Sequence, residues 1–439
     1  MTDFLAGFAE VDFTPEPGLK LRGQQYERIG EYKRDPLMAN AVAMRWGDET
    51  VVIVSNDVCF VTTEFVTETQ RIFSERAGIP AERLLIHTTH SHVAPAAVPY
   101  YWAEPDAAFI AGLQQAIISS AESAIAKLEP VTVWSGVGQL DLLNWNRRSM
   151  YANGASAMHG SADRPGFLGT EGTRDPNLSV VFFRNSAGRI IGLIPNFGTH
   201  PNCIDNACCY SADLPGELRR LLKSVFGADA GVVYLTGAAG NTAPIMREPG
   251  RKEQPFYGEE GLARAGLYMT GEVLKILAQA TTPIQSPDLA FAHAVVRIPM
   301  RPFPEPGERN YPDFWSDESR AYYQSIAADW PRRLRDESPV EVRVNVVRIG
   351  DTVICTNPAE LFAEFALEIR TASPARVTLV SQLTDGYVGY VPTEVAFTRG
   401  GYETWPSGTS KLVPEAGTAM VEATAVLMGK LNAAQQPKE

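Results

Sequence analysis

Of the six histidines in 439 residues, His90 and His92 in the run IHTTHSHVAP and His200 in NFGTHPN each follow an apolar run that reads as a strand, and each falls in a turn flanked by Gly or Pro. Neutral imidazole is the commonest metal ligand. A catalytic zinc takes three protein ligands from His, Asp or Glu and keeps one position open for water. A lone turn histidine is more often a hydrogen-bonded structural residue, so it is the pair together with His200 that points to a zinc hydrolase. His-Ser-His brings both rings to one face only in an extended chain, because the strand period is two, and the run RLLIHTTH predicts that conformation. His87 reads as a core or supporting residue, and His159 and His293 as incidental.

At 45% hydrophobic the chain can bury a large core, and nothing in its composition suggests disorder. The net charge of -12, with no block of Lys or Arg to offset it, argues against nucleic acid and against an anionic membrane surface as partners. No stretch approaches the roughly 18 uninterrupted apolar residues of a membrane helix. The opening MTDFLAGFAEVDFTPEPG has neither the basic nor the apolar region of a signal peptide, so a cytoplasmic location is expected. The expected partner is a small-molecule substrate, with homo-oligomerisation left open. Five cysteines are an odd number and do not read as a disulfide framework. Cys203, Cys208 and Cys209 lie near His200, but their spacing matches no Cys-pair zinc motif.

Apolar runs alternate with helical patterns as in an α/β protein with mixed sheets. AVAMRWG and TVVIVSNDV read as a hairpin, FVTETQRIFSERAG as a helix ending at Gly78, and RLLIHTTHSH as a strand. DAAFIAGLQQAIISSAESAIAKL is a long helix, VTVWSGVGQ, NLSVVFFRN and RIIGLIPNFGTH are strands, and NWNRRSMYANGASAMHGSADRPG between them is a polar loop. Then come a helix at DLPGELRRLLKSVFG, a buried strand at GVVYLTGAAGN and a helix at GLARAGLYMTGEVLKILAQA. The Pro-, Trp- and Tyr-rich stretch from about 299 to 339 is a candidate lid or subdomain. VEVRVNVVRIG and TVICTNPAE are strands, ELFAEFALEIR a helix and RVTLVSQLTDGYVGY a last strand. With no repeat and no linker, a single domain over 1–439 is expected. Asp57, His90, His200, Asn241, Glu360 and Tyr390 each fall at or beyond the C-terminal end of a predicted strand, where open α/β sheets place their ligand crevices.

In these motifs the chain resembles the neutral/alkaline ceramidases. The likeness runs through AGFAEVDFTPEPG, NDV, HSHVAP, the Asn-Arg pair in NWNRRS, DPNLSVVFF, THPN, GAAGN, PAELF and GYVGYVPTE, in that order. HSHVAP is similar to the family's His-Thr-His-Ser-Gly-Pro, and PAELF to its Pro-Gly-Glu-Phe. The resemblance implies one zinc per chain with ligands at His90, His200, Glu360 and Tyr390, the last in a Tyr-x-x-Tyr pattern whose first member, Tyr387, is the nearest substitute and a catalytic candidate. It also implies that His92 contacts the reacting centre without ligating metal. Glu360 is read as opening a helix, where the dipole also favours a carboxylate.

The chain departs from that family in three places. The active-site serine of Gly-Asp-Val-Ser-Pro aligns with Ala243 in Gly240-Asn241-Thr242-Ala243-Pro244. Neither an export signal nor a C-terminal immunoglobulin-like domain is expected. An acidic chain of this kind is expected to handle a soluble small molecule. Zinc-activated water attacks a carbonyl without a serine, with His92 binding the oxyanion or moving a proton. Asn241 is a candidate for catalysis and substrate binding, Arg147 and to a lesser degree Arg148 for holding a carboxylate, and Asp57 for substrate binding or for support of a zinc histidine. An amidase is the first expectation. An esterase or lactonase with the same centre, and a non-catalytic ligand-binding relative, are the alternatives.

Overall fold

Strands whose two faces are both apolar must be covered on both sides, and the alternation in the central strands assigns each face its own core. In Met38–Trp46, Ala39, Ala41 and Ala43 face one core while Val42 and Met44 face another. Glu49–Asn56 repeats the pattern, with Val52 and Val54 on the first face and Val51 and Ile53 on the second. The computed structural model describes residues 3–251, 254–304 and 317–433. Among these, the central sheet runs Gly231–Val232, Ile190–Phe197, Asn177–Asn185, Glu129–Gln139, Leu5–Asp12, Met38–Trp46, Glu49–Asn56 and Leu84–Thr88, with Leu235–Thr236 also paired to Ile190–Phe197. A second sheet consists of Leu289–Ile298, Val340–Ile349, Thr352–Thr356 and Val377–Ser381.

The sheets pack face to face. Val347, Ile349, Ile354, Val377 and Leu379 of the second share a core with Phe8, Val42, Ile53, Val181 and Phe183 of the first. Helices cover the outer faces. Thr63–Ala77 and Ala107–Ala126 lie on one half of the central sheet, Asp213–Phe226 and Gly258–Gln279 on the other. Ala363–Ala372 and Ala416–Ala433 cover the second sheet over Val342, Val344 and Val346. The result is a four-layer α/β fold. Thr62 and Asp106 cap the first two helices through hydrogen bonds from Phe65 N and Phe109 N, and Gly78 ends the first in the left-handed conformation.

The parallel pairs within this mixed arrangement fix where function can sit. Glu49–Asn56 with Leu84–Thr88, Ile190–Phe197 with Leu235–Thr236, and Thr352–Thr356 with Val377–Ser381 all run parallel. Polar cross-links tie the two sheets together near these strand ends. Asn196 donates to the carbonyls of Leu235 and Val380 and accepts from Val380 N, while His87 donates from Nδ1 to the Gln382 carbonyl and accepts at Nε2 from Thr236 N. His87 is thus the supporting residue expected from its position. Burial pushes its pKa down to about 3, so it stays neutral.

Several expected elements take a different form. The strand RLLIHTTHSH stops at Thr88, and His90 has φ 71°. GVVYLTGAAGN is two short parallel pairings rather than one strand, and RVTLVSQLTDGYVGY divides into Val377–Ser381 and Gly389–Val391. The helix in PAELF begins at Ala363, leaving Glu360 in the strand Ala359–Leu361. Leu289–Ile298 and Ala416–Ala433 are elements that the sequence pattern does not announce. Of the candidate lid, residues 305–316 lie outside the described residues. Asp317–Glu337 is a helix whose Tyr323, Ile326 and Trp330 form a small core with Met300. No described helix is long and apolar enough to cross a membrane.

Candidate metal and active site

Four strand ends converge on one buried cluster. His90 lies two residues beyond Leu84–Thr88 and His200 three beyond Ile190–Phe197. Glu360 and Tyr390 are register partners in the short parallel pair formed by Ala359–Leu361 and Gly389–Val391, so the strand pairing itself sets them side by side. His90 Nε2 lies 3.2 Å and His200 Nε2 3.4 Å from Glu360 Oε2. The His90 ring centroid is 4.8 Å from those of both His92 and His200.

The hydrogen bonds behind the rings fix their tautomers. His90 donates from Nδ1 to the Cys59 carbonyl at 2.9 Å, and His200 donates from Nδ1 to the Ala239 carbonyl at 2.6 Å. Each ring therefore turns an Nε2 lone pair toward Glu360, the arrangement that a second layer of hydrogen bonds imposes on metal-ligating histidines. Tyr387 donates to Glu360 Oε1 at 2.6 Å and stacks on Phe60 at 3.8 Å, which orients the carboxylate and leaves Oε2 toward the rings. His90 Nε2 and Glu360 Oε2 are buried without a hydrogen-bond partner. Buried orphan atoms are costly, and a cation between them would satisfy both.

The electrostatics agree. Burial disfavours charge on His90, yet the neighbouring Cys59 and Glu360 hold its pKa up at about 10, whereas burial and Arg147 push His200 down to about 4. Burial works to raise the Glu360 carboxyl, but His90 and His200 hold it well below its ordinary range. Glu360 is thus held as a carboxylate facing both rings, the state in which it can share a cation with them. A second grouping, Cys59 with His90 and His92, also lies within ligating reach. It is the poorer candidate, because His90 Nδ1, which lies 3.6 Å from the Cys59 sulfur, is already committed to a carbonyl. Cys203, Cys208 and Cys209 belong to no group within ligating reach among the described residues. The residues therefore fit a metal. The contact that must give way is Arg147 Nη1, 3.0 Å from His200 Nε2.

His90 and His92 meet through a turn rather than a strand face. The left-handed His90 reverses the chain, and backbone strain of this kind gathers at functional sites. Arg28 holds the turn through its donation to the His92 carbonyl at 2.6 Å. Gly23 packs against it so closely that a Cβ there would meet His92 Cβ at 2.5 Å. Burial first, then His90 and His200, push His92 well below its ordinary pKa, and its Nδ1 has no partner.

Three of the expected site residues have partners that the sequence does not show. Asn241 accepts from Ala363 N at 2.9 Å and donates to Glu364 at 2.8 Å. Both ends of its amide are engaged in fastening the helix that follows Glu360, which gives Asn241 a bracing part beside the site. Asp57 is fully buried, accepts from Met38 N and pairs with Arg219 at 2.9 Å, bracing the strand end below His90 instead of reaching a ligand. Arg147 and Arg148 are not solvated loop residues. Arg147 donates to Glu403 at 2.9 Å and to the Tyr390 hydroxyl at 3.1 Å, while Arg148 pairs with Glu403 and Glu171. His200 Nε2 is the third partner of Arg147, through the one contact that a bound metal would free.

Glu403, which the sequence did not single out, holds both arginines. Burial works to raise its carboxyl, but Arg148 and Arg147 keep it below the ordinary range. Glu403→Ala leaves buried Arg147 without a carboxylate and Arg148 with Glu171 alone, and breaking a buried pair costs roughly 3–5 kcal/mol. Denaturant melts should therefore show a loss of that size, with a smaller loss for Glu403→Gln. A loss below about 1 kcal/mol would mean the network contributes no more than a surface pair.

A cavity of about 100 Å³ opens onto the cluster, lined by His90, His92, Glu360, Tyr387, Tyr390 and Arg147, and also by Arg22, Gln25, His159 and Tyr402. His159, which had read as incidental, lies in its wall and accepts from Arg247 at 2.8 Å. A turn-rich loop gave no sign of that placement. His293 is on the strand Leu289–Ile298, outside the site. Ala243 is fully buried and pairs with Trp145. Gly240 passes against the Glu360 carbonyl so closely that a Cβ would clash with it, which explains the glycine of GAAGN.

No protein-family model matches this chain. The neutral ceramidase of Pseudomonas aeruginosa is 26% identical over 248 residues, 53% of this chain and 35% of that protein, so the match spans about a third of the relative. The solved structure of neutral ceramidase from Pseudomonas aeruginosa superposes with a TM-score of 0.76 at 17% identity, over 99% of this chain and 75% of that one. A ceramidase complexed with C2 superposes with a TM-score of 0.78 at 17% identity, over 100% and 77%. The chain is a relative of the neutral ceramidases. The structural likeness shows that it has the ceramidase fold, and the motifs HSHVAP, THPN, GAAGN, PAELF and GYVGY, read as similar to that family, supply the walls and supports of this one cluster.

Proposed function

We propose that this chain is a zinc-dependent hydrolase that cleaves the amide bond of a small soluble molecule. The observation that carries the reading is the convergence of His90 Nε2, His200 Nε2 and Glu360 Oε2, two of them buried orphans, at the edge of a cavity. Two histidines and a carboxylate form a standard catalytic zinc shell, and Tyr390 is the proposed fourth ligand. Zinc bound there supplies a Lewis acid for the carbonyl and lowers the pKa of water toward neutrality. His92, neutral and with Nδ1 unpartnered, receives and returns the proton or donates to the developing oxyanion. Tyr387 positions Glu360, and Arg147 and Glu403 hold the hydroxyl of Tyr390 in place. The name of the relative, a ceramidase, denotes cleavage of the amide of ceramide, which supports an amide over an ester.

The size of the cavity supports a substrate smaller than that lipid. Pockets for drug-sized ligands run to roughly 300–1,000 Å³, whereas about 100 Å³ is open here. Alanine at position 243 removes the hydroxyl that the ceramidase motif carries. The test is a panel of short amides, lactones, esters and long-chain ceramide, assayed on zinc-loaded protein. Short amides should be cleaved and ceramide only marginally. Efficient release of fatty acid from ceramide would contradict the small-substrate reading, and turnover of lactones or esters alone would move the reaction to the ester class.

A further inference from the structure

We propose that Arg22 anchors a carboxylate of the substrate, so that the amide cleaved here belongs to a small monoanionic N-acyl compound of the N-acyl amino acid type. The inference rests on the hydrolase reading and names its substrate class. Arg22 lies in the strand Leu21–Arg22, paired with Ala94–Pro95 just beyond the His90–His92 turn, and Gly23 after it packs on His92. Its guanidinium therefore holds a fixed position relative to the proposed metal ligands, and it lines the same cavity as His90, His92 and Glu360.

Arg22 differs from its neighbours in having no acceptor. It is 6% exposed, and its Nε is buried without a partner. Among the described residues no hydrogen bond or ion pair to its side chain occurs. Its charge rests on aromatic faces instead, with Cζ 3.7 Å from the Tyr100 ring centroid and 5.1 Å from that of Phe60. The nearby arginines are all committed, Arg147 to Glu403 and Tyr390, Arg148 to Glu171 and Glu403, and Arg28 to the carbonyls of His92 and Ala207. A buried guanidinium held on aromatic rings and left unpaired is costly unless something else accepts from it.

The shape of the group selects the ligand. A guanidinium stacked by its face keeps its edge free, and that edge matches a carboxylate with two parallel hydrogen bonds. Asp205 places a carboxyl group in the cavity wall, which favours a single-charge carboxylate over a dianionic phosphate. The small volume favours a short link between the carboxylate and the scissile amide, such as the single carbon of an α-amino acid.

Matched pairs test this on the full-length zinc-loaded protein: N-butyryl-glycine, N-butyryl-alanine and N-butyryl-phenylalanine, each against its carboxamide. The acids should exceed their carboxamides in kcat/KM by about 10- to 100-fold, the worth of a charge-assisted bidentate contact. In Arg22→Gln that ratio should fall toward one, with partial recovery in Arg22→Lys, and calorimetric binding of N-butyryl-glycine should weaken in parallel. Equal cleavage of acids and carboxamides by the natural protein would overturn the anchor while leaving the hydrolase intact. A preference that survives in Arg22→Gln would overturn it as well. Binding of the acid that depends on Arg22, with neither partner cleaved, would support the anchor and sink the hydrolase reading. Neither binding nor cleavage of any pair would contradict both. Should Arg22→Gln fail to fold by its thermal melt, the ratio in the natural protein still decides.

Discussion

His90→Ala and His200→Ala should each take the zinc content from about one ion per chain to a small fraction of that, and the proposed amide hydrolysis should fall with it. The expectation follows from the way each ring is held. The carbonyls of Cys59 and Ala239 fix the Nδ1 protons, so no other atom of these side chains can face Glu360. Alanine removes a ligand and leaves the Glu360 carboxylate facing a single imidazole in a buried site. Elemental analysis of the purified variants, beside melting curves, is the measurement. Both variants keeping full zinc occupancy would remove the ligand assignment.

The second large effect belongs to His92. Its ring lies 4.8 Å from that of His90 and 5.7 Å from that of His200, close enough to act on a group bound between them. His92→Ala should keep zinc and fold while lowering kcat and kcat/KM together by roughly 10²- to 10⁴-fold, the loss expected when an acid, base or oxyanion partner acting on the transition state is removed. Release of zinc in this variant would make His92 a ligand and redraw the set. A lower melting temperature with near-normal turnover would make it structural.

Much of the fold is legible in the sequence because alternation of apolar residues is physical. Ala39, Ala41 and Ala43 against Val42 and Met44 mark a strand covered on both faces through the period of two alone. The helix Ala416–Ala433 escapes for the complementary reason. It is rich in Ala, Gly and Thr with weak patterning, and only packing on the second sheet declares its buried face. At the site, residue types that carry chemistry are legible, and so is their place beyond strand ends. Their partners are not. Asn241, Asp57 and Arg147 have the composition of binding residues, and contacts from Ala363, Arg219 and Glu403, distant in sequence, give them a bracing part that the sequence does not show. Conversely, Arg22 and His159 reach the cavity from segments with no distinguishing pattern. The conformation of the His90–His92 turn is also beyond the pattern, since a left-handed histidine is set by the loop it closes rather than by local preference.

The most direct test of the central claim is a crystal of the zinc-loaded protein measured with X-rays on both sides of the zinc absorption edge. The account predicts one anomalous peak per chain, present above the edge and absent below it, within coordination distance of His90 Nε2, His200 Nε2 and Glu360 Oε2. No peak there, or a zinc bound through Cys59 or the Cys203–Cys209 region instead, would contradict it.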